Sequence, residues 1–178
     1  PIEAALYQAQ MPIRFYEKEK FPFLKFSPLA KEDFQRFFVG IDKKIKEPKK
    51  SAIFCLDPWM PSLTASKKNA KIAGVNKIIN FSRTDTEWID VKHTKESFDK
   101  IITHPPEESA RIAKGLLDKL SKELFYQAEF ILKKNGTVAI ISRNAEQFKK
   151  YAEQYKFKIL HERKVFAGKE EMGVAMFG

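Results

Sequence analysis

The chain has 178 residues, of which 43% are hydrophobic, and it carries a net charge of +10. This length favours one domain, and the hydrophobic content is enough to build a buried core. No apolar run approaches the roughly 18 residues that a membrane span requires, so the sequence offers no membrane-spanning helix. The positive charge permits binding to nucleic acid, although interleaved Lys and Glu are equally typical of a solvated surface.

The chain has a single cysteine, Cys55, which lies in an apolar run. One cysteine cannot form an internal disulfide, and no metal-binding cluster can be built around it. The three histidines also lack the spacing of metal ligands. We therefore expect a reducing, cytoplasmic environment and no metal site.

A helix is predicted at the start of the chain, followed by a basic and aromatic stretch. Four apolar residues of segment 1–10 fall on one helical face, namely Ile2, Ala5, Leu6 and Ala9. Residues 12–50 interleave Phe and Tyr with Lys and Arg, and prolines punctuate them. Within this stretch, residues 30–38 predict a short helix that ends at Gly40, and residues 41–50 predict an exposed basic connection.

From residue 51 onward, predicted strands and helices alternate. Strands are predicted at residues 51–57, 76–85, 98–104, 135–142, 157–168 and 171–178. Helices are predicted at residues 61–74, at 107–133 as one long helix or two shorter ones, and at 144–155. Gly74 is the expected stop of the first, and Asn144 is the expected N-cap of the last. The last two strands flank a turn at Gly168. This order predicts a mainly parallel α/β sheet with an antiparallel C-terminal strand pair.

Polar side chains follow three consecutive predicted strands. The strands end at Asp57, near Asp85 and at His104. In an open parallel sheet, ligands bind beyond these carboxyl ends. A carboxylate at Asp57 can accept both hydroxyls of a ribose, and Asp85 could meet an adenine amine. An aspartate at a strand end is as often a cap or turn residue. Neither a Rossmann G-x-G-x-x-G sequence nor a P-loop is present, so nothing supports NAD or ATP.

The basic and aromatic stretch has two interpretations. Cations with interleaved rings suit RNA, because charges follow phosphates while rings stack on bases. The candidate RNA-binding cations are Arg14, Lys18, Lys20, Lys25 and Arg36. Alternatively, the phenylalanines pack the stretch onto the sheet, and the lysines are only solvated. Trp59 and Trp88, which follow two strand ends, could line a ligand pocket, but packing in the core is the more ordinary role.

Several segments resemble a known family. FCLDPWMPSLTASKKNAKIAGVNKIINF resembles the second and third motifs of Rossmann-like S-adenosylmethionine methyltransferases. FDKIITHPPEE resembles their fourth motif, (Asn or Asp)-Pro-Pro-aromatic. PIEAALYQAQ, followed by the basic stretch, resembles the helix after their glycine-rich first motif. The closest group is the THUMP-associated RNA guanine-N2 methyltransferases. The resemblance covers nearly the whole chain and is strongest over residues 51–106.

The resemblance implies S-adenosylmethionine as the cofactor and RNA, either tRNA or rRNA, as the substrate. The implied cofactor-binding residues are Asp57 at the ribose, its neighbours Pro58 and Trp59, and Asp85 near the adenine. The implied catalytic residues are the fourth motif, His104, Pro105, Pro106 and Glu107. In the family, the first residue of this motif accepts hydrogen bonds from the exocyclic amine of the target base, and the aromatic residue stacks on the flipped base.

Here His104 holds the acceptor position and Glu107 the stacking position. A neutral imidazole accepts one hydrogen bond, but an imidazolium accepts none. Glutamate offers no ring for stacking. The alternative interpretation is therefore a degenerate site, in which Glu107 and Glu108 place negative charge at the start of the next helix. The corresponding function would be a non-catalytic RNA-binding or assembly module.

In the family, the first-motif strand lies at the centre of the sheet, between the strands at 51–57 and 98–104. The chain resembles the part after that strand, so residues 1–178 are expected to be a partial catalytic domain with an insertion at 12–50. Another segment, from a longer chain or a separate polypeptide, would supply the strand, the glycine-rich loop and a THUMP domain. A rearranged sheet is the alternative. This chain alone is expected to bind the cofactor weakly and to be inactive.

Overall fold

The computed structural model describes residues 1–12, 14–46, 53–107, 114–143 and 145–178. These residues form two compact units, Pro1–Arg83 and Thr84–Gly178. No helix among them is long and apolar enough to cross a membrane.

The first unit contains three α-helices and two strands. They are α1 (Ile2–Gln8), α2 (Phe34–Asp42), β1 (Ile53–Asp57), α3 (Met60–Ile72) and β2 (Ile79–Arg83). Short 3-10 helices occupy Phe15–Lys20, Pro22–Lys25, Ser27–Leu29 and Asn76–Ile78. The strands β1 and β2 are parallel, with Ile53 opposite Ile79 and Asp57 opposite Arg83. The predicted apolar face of α1 is confirmed, because Ala5 and Ala9 are buried and Ile2 and Leu6 pack against the same core.

The second unit contains three α-helices and four strands. They are α4 (Ile89–Lys92), β3 (Phe98–Thr103), α5 (Lys114–Ile131), β4 (Leu132–Ser142), α6 (Glu146–Gln154), β5 (Ile159–Ala167) and β6 (Glu170–Phe177). A 3-10 helix, Thr86–Trp88, precedes α4. The sheet order is β3-β4-β6-β5. The β3–β4 pair is parallel, whereas β6 is antiparallel to both of its neighbours. The predicted α/β class with an antiparallel C-terminal pair is confirmed.

The first strand of each unit has one strand neighbour among the described residues, which is β2 for β1 and β4 for β3. The strand predicted over 51–57 is β1 from Ile53 onward, and residues 51 and 52 lie outside the described residues. In β1 the side chain of Cys55 is buried, whereas Phe54 is exposed. The strand is therefore only partly buried.

The two glycines predicted to stop helices differ in outcome. Gly74 ends α3 as predicted, since it has a φ of +75° and its N–H donates to Lys71 O at 3.1 Å. Gly40 does not end a helix, because α2 continues to Asp42. Asp33 caps α2 by accepting a hydrogen bond from Arg36 N–H at 2.9 Å, and such a cap contributes about as much as one helical glycine costs, roughly 1 kcal/mol.

Two further boundaries differ from the prediction. The strand predicted to start after a turn at Asn135 begins at Leu132, and an irregular register against β3 absorbs the extra residues. Of the helix predicted over 107–133, α5 covers Lys114–Ile131, and residues 108–113 lie outside the described residues. Glu107 is in a loop. The predicted N-cap Asn144 lies outside the described residues. The residue that flanks the start of α6 is Ala145. The turn at Gly168, with a φ of +66°, is confirmed.

Candidate active site at the strand ends

At the end of β1, one oxygen of the Asp57 carboxylate is hydrogen-bonded to the backbone. Asp57 Oδ1 accepts a hydrogen bond from the backbone N–H of Trp59 at 2.7 Å. This bond turns the chain from β1 into α3, whose first turn tolerates Pro61 because its N–H would have no helical partner. Asp57 Oδ2 has no hydrogen-bond donor within the described part of the chain. That oxygen fits the ribose hydroxyls of S-adenosylmethionine, because a carboxylate is an acceptor only.

A cation that sequence reasoning missed lies beside Asp57. Arg83 ends β2 directly opposite Asp57 in the parallel register. Its Nε donates to the carbonyl oxygen of Pro58 at 3.0 Å, so the guanidinium fixes the turn that carries Asp57. The signal in the sequence is a cation placed at a strand end, two residues before Asp85. The carbonyl group of Pro58 is thus held by Arg83, which is a positioning residue for this turn.

Both tryptophans are largely exposed, which contradicts their expected packing in the core. Trp59 is 65% exposed and Trp88 is 58% exposed. Trp59 flanks the start of α3, and Trp88 is the last residue of the 3-10 helix that precedes α4. The two indoles are therefore free to contact a ligand.

The second unit begins with the residues that follow β2. Asp85 is exposed and precedes the 3-10 helix Thr86–Trp88 without capping it through its side chain. Its carboxylate is thus available to an amine of a ligand. The preceding residue, Thr84, is buried and accepts a hydrogen bond from Lys92 Nζ at 2.9 Å. This bond holds the backbone next to Asp85.

A buried amide anchors this segment, and it was not predicted. Gln127, on α5, is 1% exposed. Its Oε1 accepts from the backbone N–H of Asp90 at 2.9 Å, and its Nε2 donates to Glu123 at 2.9 Å. A buried amide with these partners is satisfied on both sides. The signal in the sequence is a glutamine on the apolar face of α5, next to Ala128.

The fourth-motif residues lie in the loop after β3. The His104 side chain is 55% exposed, whereas Pro105 is buried. Glu107 Oε1 accepts a hydrogen bond from the backbone N–H of Arg143 at 2.9 Å. The same oxygen lies 3.7 Å from His104 Nε2. The guanidinium of Arg143 pairs with Glu170 at 2.5 Å. Glu107 is therefore hydrogen-bonded to the end of β4. Glu108, its companion in the alternative interpretation, lies outside the described residues.

The structure brings some of the predicted site residues together. Asp57, Pro58 and Trp59 share one turn of the first unit, and His104 and Glu107 share one loop of the second. Asp57 belongs to the first unit and Asp85 to the second. No group of three or more His, Cys, Asp or Glu within the described ranges could hold a metal ion.

The candidate RNA-binding cations differ in whether they form ion pairs with other side chains. Lys18 pairs with Asp42, and its ammonium lies 4.4 Å from the centre of the Phe15 ring. Lys20 pairs with Glu17. The remaining three are exposed and form no ion pair with the described residues, namely Arg14, Lys25 and Arg36. These three are the cations best able to contact phosphate.

Sequence comparison identifies a family. The chain matches the model of the family UPF0020, the RMKL-like methyltransferase domain, over residues 1–172. No curated protein sequence matches the chain.

Solved structures share the fold. One, described as a possible methylase from Clostridium difficile 630, is 24% identical with a TM-score of 0.74, over 99% of this chain and 44% of that one. Another, described as a predicted N6-adenine-specific DNA methylase from Listeria monocytogenes str. 4b F2365, is 16% identical with a TM-score of 0.75, over 100% of this chain and 43% of that one. SMU.472, solved in complex with S-adenosylhomocysteine, is 16% identical with a TM-score of 0.70, over 99% and 44%.

At these identities the likeness to solved structures shows the fold alone, and the chain spans less than half of their length. The fold is that of S-adenosylmethionine-dependent methyltransferases, which confirms the cofactor class that the sequence resemblance implies. Because the family model matches all but the last six residues, the chain belongs to the RMKL-like methyltransferase domain family.

Proposed function

We propose that this domain methylates RNA at the N2 amine of guanine, in tRNA or rRNA. The observation that carries the proposal is the loop after β3, where an exposed imidazole, His104, follows directly on a strand of a methyltransferase-family sheet. Ligands of parallel sheets bind at this end of the strands. A neutral His104 accepts one hydrogen bond from an exocyclic amine, which directs the nitrogen lone pair of that amine toward the methyl donor.

The other site residues have binding roles in this proposal. Asp57 accepts hydrogen bonds from the ribose hydroxyls of the cofactor, and Asp85 accepts one from its adenine amine. Trp59 and Trp88 supply exposed rings beside these carboxylates. When bound, S-adenosylmethionine supplies an electrophilic methyl group. The residues of this chain would position the amine and the cofactor for an in-line displacement. In that displacement a nitrogen–carbon bond would form as the carbon–sulfur bond breaks, S-adenosylhomocysteine would leave, and the methylated amine would release one proton to water.

Charge supports RNA as the substrate. The net charge of +10 and the exposed Arg14, Lys25 and Arg36 suit a polyanion. A DNA substrate is the competing outcome of the experiment, and RNA is favoured because the target base must be accessible outside a duplex. In keeping with the single Cys55, we propose that the enzyme works in the cytoplasm.

The proposal is tested by transfer of a radiolabelled methyl group from S-adenosylmethionine to total tRNA, rRNA or DNA, using the protein that contains this domain. The His104→Ala variant should lose at least about 100-fold in rate while its RNA affinity survives. His161→Ala, which removes an exposed imidazole from β5, is the matched control and should keep full activity. An active His104→Ala variant would show that the fourth motif is not the site, and methylation of DNA alone would overturn the RNA assignment.

We also propose that a further polypeptide segment supplies the strand, the glycine-rich loop and the THUMP domain that the family resemblance implies. The support for this proposal is length, since this chain spans less than half of the methylase structures that it matches. Such a segment would complete the cofactor site. Calorimetry with S-adenosylhomocysteine should show binding to a version extended by such a segment and weak or absent binding to residues 1–178. Equal binding to both versions would contradict this proposal.

One observation favours a second candidate function, a non-catalytic RNA-binding or assembly module. Glu107 holds the position of the stacking ring, and its carboxylate is bound to Arg143. This module would bind RNA with the same affinity in the presence and absence of S-adenosylhomocysteine. A gain in RNA affinity on adding the cofactor product would exclude it.

A further inference from the structure

An apolar groove lies on the surface of the first unit, between the 3-10 helices and α2. Its volume is about 190 Å³. The lining residues, which we call the phenylalanine groove, are Pro12, Lys18, Phe21, Phe23, Phe37, Phe38 and Ile41. The wall is ordered, because the Phe21 ring stacks on Phe23 with centroids 5.1 Å apart and on Phe38 with centroids 6.1 Å apart. The phenylalanine rings that line the groove are thus held in place by contacts with one another.

One ring of this groove is left open by the fold. Phe37 is 52% exposed, although it contacts Phe38 at 5.5 Å between centroids. It lies on α2, whose start is fixed by the Asp33 cap. The position of the Phe37 ring is therefore set by a capped helix and by neighbouring rings, while about half of its surface remains available to a ligand.

The segments that form the groove are net positive. Residues 12–46 carry nine Lys and Arg against five Asp and Glu. The Lys18 ammonium is neutralised by Asp42 and lies 5.7 Å from the centre of the Phe38 ring, so it forms part of the wall. Other cations of the same segments are exposed, namely Lys25, Arg36, Lys43 and Lys44. This balance of charge suits an anionic ligand.

We propose that the phenylalanine groove binds an unpaired base of the RNA substrate, with the base stacked on Phe37 and its flanking phosphates contacted by exposed cations such as Arg36 and Lys25. The proposal rests on the proposed function, because it assigns a second RNA contact outside the strand-end site. Every base has a π-face, so such a contact is tolerant of sequence. The occupant is a single strand, since bases within a duplex are stacked on one another and offer no free face. An apolar protein segment is disfavoured, because it would gain nothing from the net positive charge of these segments.

The experiment compares Phe37→Ala with Phe26→Ala in the protein that contains this domain. Phe26 is 60% exposed and does not line the groove, so it is a matched control for loss of an exposed ring. Affinity is measured by fluorescence anisotropy for labelled oligouridine and for an RNA duplex of the same length, at several salt concentrations. Phe37→Ala should weaken oligouridine binding about tenfold, whereas the duplex affinity and the salt dependence should stay as in the wild type. Phe37→Trp should restore single-strand binding, and Phe26→Ala should have no effect.

Two results would overturn the proposal, and they differ in what else they overturn. Wild-type RNA binding that Phe37→Ala leaves unchanged would overturn the groove assignment alone and would point to a protein segment as its occupant. A wild-type protein that binds no RNA would overturn both the groove assignment and the RNA part of the proposed function. Equal weakening of single-strand and duplex binding by Phe37→Ala would indicate a change in the fold of the segment and would also count against a base-stacking role.

Discussion

The carboxylate of Glu107 accepts a hydrogen bond from the backbone N–H of Arg143 at 2.9 Å, although the two residues are 36 positions apart. This bond joins the loop after β3 to the end of β4, its parallel neighbour. The residue in the stacking position of the family motif is therefore a structural link between two strand ends in this protein.

Replacing Glu107 separates its structural role from its charge. Glu107→Ala removes the acceptor for Arg143 N–H and should lower the free energy of unfolding by about 1 kcal/mol. Glu107→Gln keeps an acceptor oxygen and should lie closer to the wild type. Urea denaturation followed by circular dichroism measures both values. Equal stability of Glu107→Ala and the wild type would show that the bond contributes nothing.

Lys18 and Lys25 are expected to act differently. Lys18 pairs with Asp42 and lies over two rings, so Lys18→Ala should destabilise the protein by about 1–2 kcal/mol. Lys25 is exposed, so Lys25→Ala should leave stability unchanged within about 0.5 kcal/mol and should weaken RNA binding with a smaller salt dependence. Thermal unfolding and RNA titration on the same two variants check this. The reverse assignment of effects would contradict the structure.

Two glycines form a matched pair for a test of backbone conformation. Gly74 has a φ of +75°, and an added Cβ would lie 2.4 Å from the Tyr16 hydroxyl, so Gly74→Ala should cost about 1–2 kcal/mol. Gly40 is inside α2 with no atom within 4 Å of an added Cβ, so Gly40→Ala should stabilise the protein by about 0.5–1 kcal/mol. The midpoints of denaturant unfolding should shift in opposite directions, and shifts in the same direction would refute this reading.

The surroundings of His93 predict that the free energy of unfolding falls in mild acid. Burial, and to a smaller extent the charge of Lys92, lowers the pKa of His93 below its usual value of about 6.5. Below that value, the unfolded chain binds a proton that the folded protein resists, so stability falls as the pH decreases from about 6.5 through the folded pKa. The part of the stability that depends on a neutral His93 is fully present above pH 7. The free energy of unfolding, measured between pH 7.5 and 5, should therefore depend less on pH in His93→Gln.

Local patterns explain which elements could be predicted. The helix α1, the stop at Gly74 and the β5–β6 pair around Gly168 depend on spacing and on glycine backbone freedom within a few residues. The extension of α2 through Gly40 could not be predicted, because it depends on the Asp33 cap and on the packing of the phenylalanine rings of α2. The partial exposure of β1 depends on which strands lie beside it, and a segment of five residues does not carry that information.

The residues of the candidate site also differ in how well the sequence predicts them. The placement of Asp57, Asp85 and His104 after strands follows from the strand pattern alone. The partners of these turns do not, because Arg83 reaches Pro58 across 25 residues and Gln127 reaches Asp90 across 37. These contacts depend on the register and packing of separate elements. Sequence reasoning therefore finds the reactive groups and misses the residues that position them.

The inner places of β4 and β6 in the order β3-β4-β6-β5 have a consequence for local opening. Each of these two strands pairs with a strand on both sides, and Val138, Ile140, Ala175 and Phe177 are fully buried. Amide protons of β4 and β6 should therefore exchange with deuterium more slowly than those of β3 and β5, which each have one neighbour among the described residues. The Arg143 amide is expected to be protected because its proton is held by Glu107, so its exchange rate reports directly how often the loop carrying His104 opens.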